Sequence, residues 1–256
     1  MLFKSKSIRN YKLLCTDGEF GRVKEFLFDD LHWTVRYLVA DTGNWLTGKL
    51  VLISPYALLH VDNDAEHIST NLSKDQIKNS PPLESHLPVS RQYESSYHDY
   101  YGYPQYWAGS MMWGALPHIS RDSNDWKKSS ERVNTEDSHL RSAKDVNGYS
   151  IEANDGEIGH LDDFIIDDET WAIRYLEINT KSWGTGKKVL ISPKWIDHVG
   201  WEVSEIYVAM SREAVRQSPE YEDDMIISRD YETKLHSYYD RSGYWVSEPE
   251  ESHHQV

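Results

Sequence analysis

The sequence predicts a mainly β fold with short helices: two small β-barrels in tandem, each followed by a helical C-terminal arm. Three observations carry this. A long block of the chain recurs without a gap, so that Trp33 matches Trp171, 138 positions on. Within the block, apolar residues come in short runs bounded by turn residues, the mark of small barrels and sandwiches. Aromatic residues are abundant, with 10 Trp and 17 Tyr in a chain that is only 39% hydrophobic. That composition starves one large core, whereas aromatic side chains bury enough area each to close two small ones. A length of 256 residues accommodates two such domains.

The repeat sets the boundaries. Asp17, Gly18, Glu19, Gly21, Phe26, Asp29, Asp30, Arg36, Tyr37, Trp45, Gly48, Lys49 and Pro55 all recur in residues 154–193. The register continues beyond this block. Ser90-Arg91 returns as Ser228-Arg229, Tyr93-Glu94 as Tyr231-Glu232, His98 as His236, and Tyr106-Trp107 as Tyr244-Trp245. Each copy therefore comprises a barrel and an arm, at residues 7–107 and 145–245. Residues 108–144 are polar and mixed in charge and read as a linker. The acidic, then His-rich, residues 246–256 read as a flexible tail.

Each element follows from local chemistry. Asp17-Gly18 and Asp155-Gly156 are hairpin-type turn pairs, because Gly accepts positive φ. Gly21 and Gly159, three residues on, predict a bulge or a close backbone approach. Strands are expected at 23–29 and 161–167, separated by Asp-Asp turns from strands at 33–40 and 171–178, which are rich in β-branched and aromatic residues. Strands at 50–53 and 189–191 end at Ser-Pro, because Pro cannot donate a ladder bond. A helical turn and strands at 66–70 and 205–209 follow. Ser73 and Ser211 are N-caps for short helices reaching 79 and 217. Residues 90–101 and 228–239 form the aromatic helical arms.

The net charge of −15 repels phosphate backbones and anionic membrane surfaces, so no nucleic-acid partner is expected. No apolar run approaches the length that spans a bilayer, and the basic first ten residues precede no apolar segment. No stable membrane insertion is therefore expected, and a cytoplasmic location is. The single cysteine, Cys15, sits in an apolar run, which favours a buried thiol over a nucleophile. Phosphate-binding loops, nucleophile elbows, zinc-type Cys sets and zincin helices are absent from the sequence.

Both copies resemble the PRC-barrel family. The second copy carries the resemblance through Asp155-Gly-Glu-Ile-Gly-His-Leu-Asp-Asp-Phe-Ile-Ile-Asp-Asp168, Trp171-Ala-Ile-Arg-Tyr-Leu176 and Lys188-Val-Leu-Ile-Ser-Pro193. The first copy matches with Asp17-Gly-Glu-Phe-Gly21 and Val51-Leu-Ile-Ser-Pro55. The family includes the cytoplasmic barrel of the photosynthetic reaction centre H subunit, the barrel of a ribosome maturation factor and free-standing bacterial proteins. The resemblance implies two tandem PRC-type barrels.

The expected function is a non-enzymatic binding or assembly module, an adaptor whose protein partner is unknown. Two alternatives stand beside it. One is an H-subunit-like role assisting electron or proton transfer to a quinone, implied by the resemblance. The other is a metal-dependent enzyme using Asp29, Asp30, Asp162, Asp163, Asp167 and Asp168, or the repeated His60/His198 and His98/His236. No cofactor, metal site or catalytic residue is assigned. Turn carboxylates on a solvated face and packed histidines explain those sets more simply. Candidate interaction residues are Trp45 and Trp183 in loops, Tyr106, Trp107, Tyr244 and Trp245 at the arm ends, and the strand arginines Arg36 and Arg174. The aromatics are expected to clasp within each copy, and the arginines to pair with Asp29 and Asp167. Two associations are open: a homodimer, or pseudo-symmetric packing of the two repeats.

Overall fold

The computed structural model describes residues 1–46, 48–81, 83, 89–107, 139–180, 186–223 and 225–247. Among them are fourteen strands in two seven-stranded mixed sheets and several short helices. The first sheet is built from β2 (Lys12–Cys15), β3 (Gly18–Asp29), β4 (Thr34–Asp41), β5 (Leu50–Ile53), β6 (Leu58–Asp62) and β7 (His67–Thr70). Its order is β5-β4-β3-β2-β7-β6. The second contains β9 (Ser150–Ala153), β10 (Gly156–Asp167), β11 (Ile173–Asn179), β12 (Lys188–Ile191), β13 (Ile196–Gly200) and β14 (Glu205–Val208). Its order, β12-β11-β10-β9-β14-β13, is the same arrangement moved along by the repeat. Each sheet gains a seventh strand: β1 (Leu2–Lys4) pairs with β10, and β8 (Leu140–Ser142) pairs with β3.

No pairing joins β5 to β6 or β12 to β13 among the described residues, so the architecture is two mixed sheets and not two hydrogen-bonded closed barrels. β2 runs parallel to β7 and β9 to β14, whereas β3 is antiparallel to β2, β4 and β8, and the pairs β4–β5, β6–β7, β9–β10, β11–β12 and β13–β14 are antiparallel. β1, β8 and the pair β6 and β13 were not foreseen, because they are short and lack a clear apolar alternation. Strand β8 lies within residues 108–144, and a helical turn at Ala143–Val146 begins there and crosses into the second repeat. Residues 108–138 and the tail from 248 lie outside the described residues.

The hairpin glycines behave as their spacing predicts. The β2–β3 register shifts opposite Leu13 and Leu14, between Glu19 and Gly21, and the β9–β10 register shifts between Glu157 and Gly159. A Cβ on Gly21 would lie 2.5 Å from the Asp41 carbonyl oxygen, and one on Gly159 would lie 2.2 Å from that of Asn179. The glycines thus let the bulged strand fold down onto the end of its neighbour.

The chain divides into two units: residues 1, 3–146 and 165–174, and residues 2, 147–164 and 175–256. In the first unit the β3–β4 turn is organised by Asp29, whose Oδ1 accepts from the Leu31 and His32 amides at 2.8 and 3.2 Å. Trp33 then takes φ 51°, as Trp171 does at 58° in the matching turn. Both tryptophans belong to this unit, and so do the residues that follow them. The Val35 amide donates to the Trp171 carbonyl at 2.9 Å, and the Ile173 amide to the Trp33 carbonyl at 2.7 Å. Thr34 faces Ala172 between these reciprocal bonds. Cys15 is buried and burial pushes its thiol up to about 11. No helix among the described residues is long and apolar enough to cross a membrane.

Replacing Gly21 by Ala drives a methyl group into main chain that has no room to move. It is expected to destabilise the chain by about 2–3 kcal/mol. Gly48→Ala meets open space and carries only the strain of its positive φ, about 1 kcal/mol. Urea unfolding of the two variants checks the difference.

Candidate functional site

The first unit's arm is helix α2 (Arg91–Tyr101), following α1 (Lys74–Lys78). Ser90 caps α2 by accepting from the Tyr93 amide, and Gly102 ends it in the left-handed conformation at φ 67°. Residues 94, 97, 98 and 101 share one face by helical spacing. That face packs on Tyr37, Val39 and Leu52 of strands β4 and β5.

A polar cluster sits within this apolar contact. The Tyr37 hydroxyl lies 2.8 Å from His98 Nε2 and 3.1 Å from Glu94 Oε1. Tyr106 donates to the same Oε1 at 2.5 Å, and Arg91 donates to Oε2 at 2.8 Å. His98 Nδ1 lies 2.7 Å from the Pro104 carbonyl, which can only accept, so Nδ1 carries the ring proton and Nε2 is an acceptor, sharing the single Tyr37 hydroxyl proton with Glu94 Oε1. Burial holds the His98 ring neutral, down to about 3, and the Pro104 bond only partly offsets it. Burial also raises the Glu94 carboxyl, against the pull of Arg91, Tyr106 and Tyr37. Glu94, His98 and Tyr37 are at most 1% exposed.

The second unit repeats the cluster on α5 (Arg229–Tyr238), which follows α3 (Ala143–Val146) and α4 (Arg212–Gln217). The Tyr175 hydroxyl lies 2.9 Å from Glu232 Oε1 and 3.0 Å from His236 Nε2. Arg229 pairs with Glu232 at 3.0 Å, and His236 Nδ1 faces the Ser242 carbonyl at 3.0 Å. Each tyrosine–glutamate–histidine set thus recurs atom for atom.

The candidate residues fall around these clusters. Tyr106 is buried, with the Arg36 guanidinium 4.0 Å above its ring, and Arg91 lies 4.4 Å above the Trp107 ring. Tyr244 is buried, and Arg229 lies 4.2 Å above the Trp245 ring. Arg36 and Arg174 are buried and bind Asp29 and Asp167 at 2.5 and 2.9 Å. Burial opposes ionisation of Asp29, but His32 and Arg36 outweigh it and hold the carboxyl far below its ordinary range. Trp45 is exposed on its loop, and Trp183 lies outside the described residues. The other carboxylates are also engaged. Asp30 meets His139 and Arg141, Asp162 meets Lys188, Asp163 accepts from the Phe164 amide, and Asp168 meets the Met1 amino group. His60 and His198 are exposed and His98 and His236 packed, so only the second pair is part of a core. Among the described residues, no three His, Cys, Asp or Glu side chains gather as a metal-ligand set.

Sequence reasoning passed over Tyr37, Glu94, Tyr175 and Glu232 as a set. The available signal was the Glu-x3-His spacing, repeated at 94/98 and 232/236 and facing a repeated strand tyrosine. It also passed over an open cleft of about 770 Å³ in the first unit, beside the β2–β3 bulge and the Trp45 loop. Four cationic and two carboxylate side chains line this cleft.

The family model of the PRC-barrel domain matches residues 139–204, from just before β8 to just before β14. The chain therefore carries a PRC-barrel domain in its second repeat. No curated protein matches the chain.

The buried histidine sets a pH dependence. His98 titrates near 6.5 when unfolded and near 3 when folded. Stability that is full above the unfolded value is lost as the pH falls through that window, because the unfolded chain takes up the proton first. The slope reaches about 1.4 kcal/mol per pH unit. Glu94, raised by burial, acts in the opposite sense above its unfolded value of 4.5. In urea unfolding between neutral and mildly acid pH, His98→Gln is expected to flatten the acid loss seen in the unsubstituted chain. Coincident slopes would contradict the assignment.

Proposed function

We propose that the chain is a non-enzymatic binding or assembly module built on two PRC-type repeats, the first a diverged copy of the second. One observation carries the reading. The side chains best suited to acid–base chemistry, Glu94, His98 and Tyr37 with their counterparts Glu232, His236 and Tyr175, are buried and mutually bonded in both copies. A general acid or base must reach the proton it moves, and groups this enclosed serve to hold an arm on a sheet. The strand arginines are likewise engaged by turn aspartates. The surfaces left for function are those outside these clusters, which suits a domain whose fold is shared among proteins of different roles. Strand order, bulges and clasp recur in the first repeat, and this supports extending the PRC-type assignment to it.

The reading is tested with chromogenic ester, phosphomonoester and glycoside substrates. The chain is expected to turn them over no faster than a Glu94→Gln, Glu232→Gln double variant. Turnover that depends on either glutamate would overturn it.

A further inference from the structure

The cleft beside Trp45 is basic in a chain whose net charge is −15. Its cations are Arg9, Arg22, Lys24 and Lys144. Among the described residues, the side chains of Arg9, Lys24 and Lys144 have no ion pair or hydrogen bond. Arg22 reaches only the Asn10 carbonyl, at 2.9 Å. The two lining carboxylates are occupied: Glu19 faces Lys12 at 3.2 Å, and Asp41 accepts from the Gly43 amide at 2.9 Å. With Glu19 neutralised by Lys12, four cations stand against the one carboxylate of Asp41, and this excess of like charge attracts an anion.

The second repeat supplies an internal comparison. Arg9, Arg22 and Lys24 correspond there to Asn147, His160 and Asp162. Asp162 is neutralised within the protein, 3.1 Å from Lys188, which also holds Glu177 at 2.6 Å. The first repeat has Leu50 and Val39 at the positions of Lys188 and Glu177, which leaves Lys24 without that partner. The fold therefore does not require these cations, because the same sheet forms without them.

The neighbouring Trp45 is 38% exposed, with the Lys74 ammonium 5.7 Å from its ring centre. An exposed indole beside a cationic wall offers one surface to a planar ring and another to anionic groups. A volume of about 770 Å³ suits a small molecule.

We infer that this cleft binds a small polyanion carrying a planar ring, held by Arg9, Arg22, Lys24 and Lys144 with Trp45 as the platform. The inference deepens the binding-module reading and rests on it. ADP is the probe, with pyrophosphate and adenosine as its two halves, titrated calorimetrically into the full chain. ADP is expected to bind saturably and more weakly as salt rises. Substituting Arg9→Asn, Arg22→His and Lys24→Asp, the residues of the second repeat, should weaken it about ten-fold or more. Trp45→Ala should weaken ADP and spare pyrophosphate. Lys24→Ala alone, which removes one exposed side chain, should weaken both phosphates and keeps the test independent of the triple variant's folding. The inference is overturned if neither phosphate binds, if adenosine binds as well as ADP, or if the charge variants bind unchanged. Hydrolysis of bound ADP by the chain would defeat the non-enzymatic reading and leave the site intact.

Discussion

The rest of each unit depends on one hydroxyl placed between a carboxylate and an imidazole. Tyr37 stands on a buried strand, and Glu94 and His98 stand one helical turn apart on the arm that covers it. A buried carboxylate without partners costs several kcal/mol, so the cluster is stable only when complete. Completeness requires the arm to sit at one height and one rotation. Arg91, Tyr106 and the Pro104 carbonyl supply the remaining bonds, and they fix where the chain turns after the helix. The apolar contact provides most of the attraction, and the polar set provides its register.

The two copies show which parts of this arrangement are free to change. Tyr97 reaches the Leu52 carbonyl and the Ser54 amide in the first unit. Leu235 replaces it in the second, where Trp195 stands at the position of Ala57 and packs on His236 at 5.0 Å. Volume moves from helix to turn while the tyrosine–glutamate–histidine set stays. Electrostatics diverged further than packing. The internally paired Asp162 and Lys188 of one copy stand where the other has Lys24 and Leu50.

Much of the fold was legible because it depends on local chemistry repeated twice. Asp-Gly turns, Ser caps and Ser-Pro strand ends mark the same points in both copies, and Gly21 and Gly159 sit where main chain meets main chain. The Arg36–Asp29 and Arg174–Asp167 pairs were legible because each joins residues seven apart across one turn. Sheet closure was not, because it depends on how far β5 and β6 stay apart, and no local residue records that. The pairing of β1 with β10 and of β8 with β3 depends on contacts remote in sequence. The basic cleft draws on residues from 9 to 144, so its charges are scattered along the chain and become a site only in three dimensions.

The central claim is that Tyr37, Glu94 and His98 act as one structural unit. A double-mutant cycle with Tyr37→Phe and Glu94→Gln, read by chemical denaturation, tests it most directly. The account predicts a coupling energy of about 1–2 kcal/mol between the two sites. Additive effects, with no coupling, would contradict it.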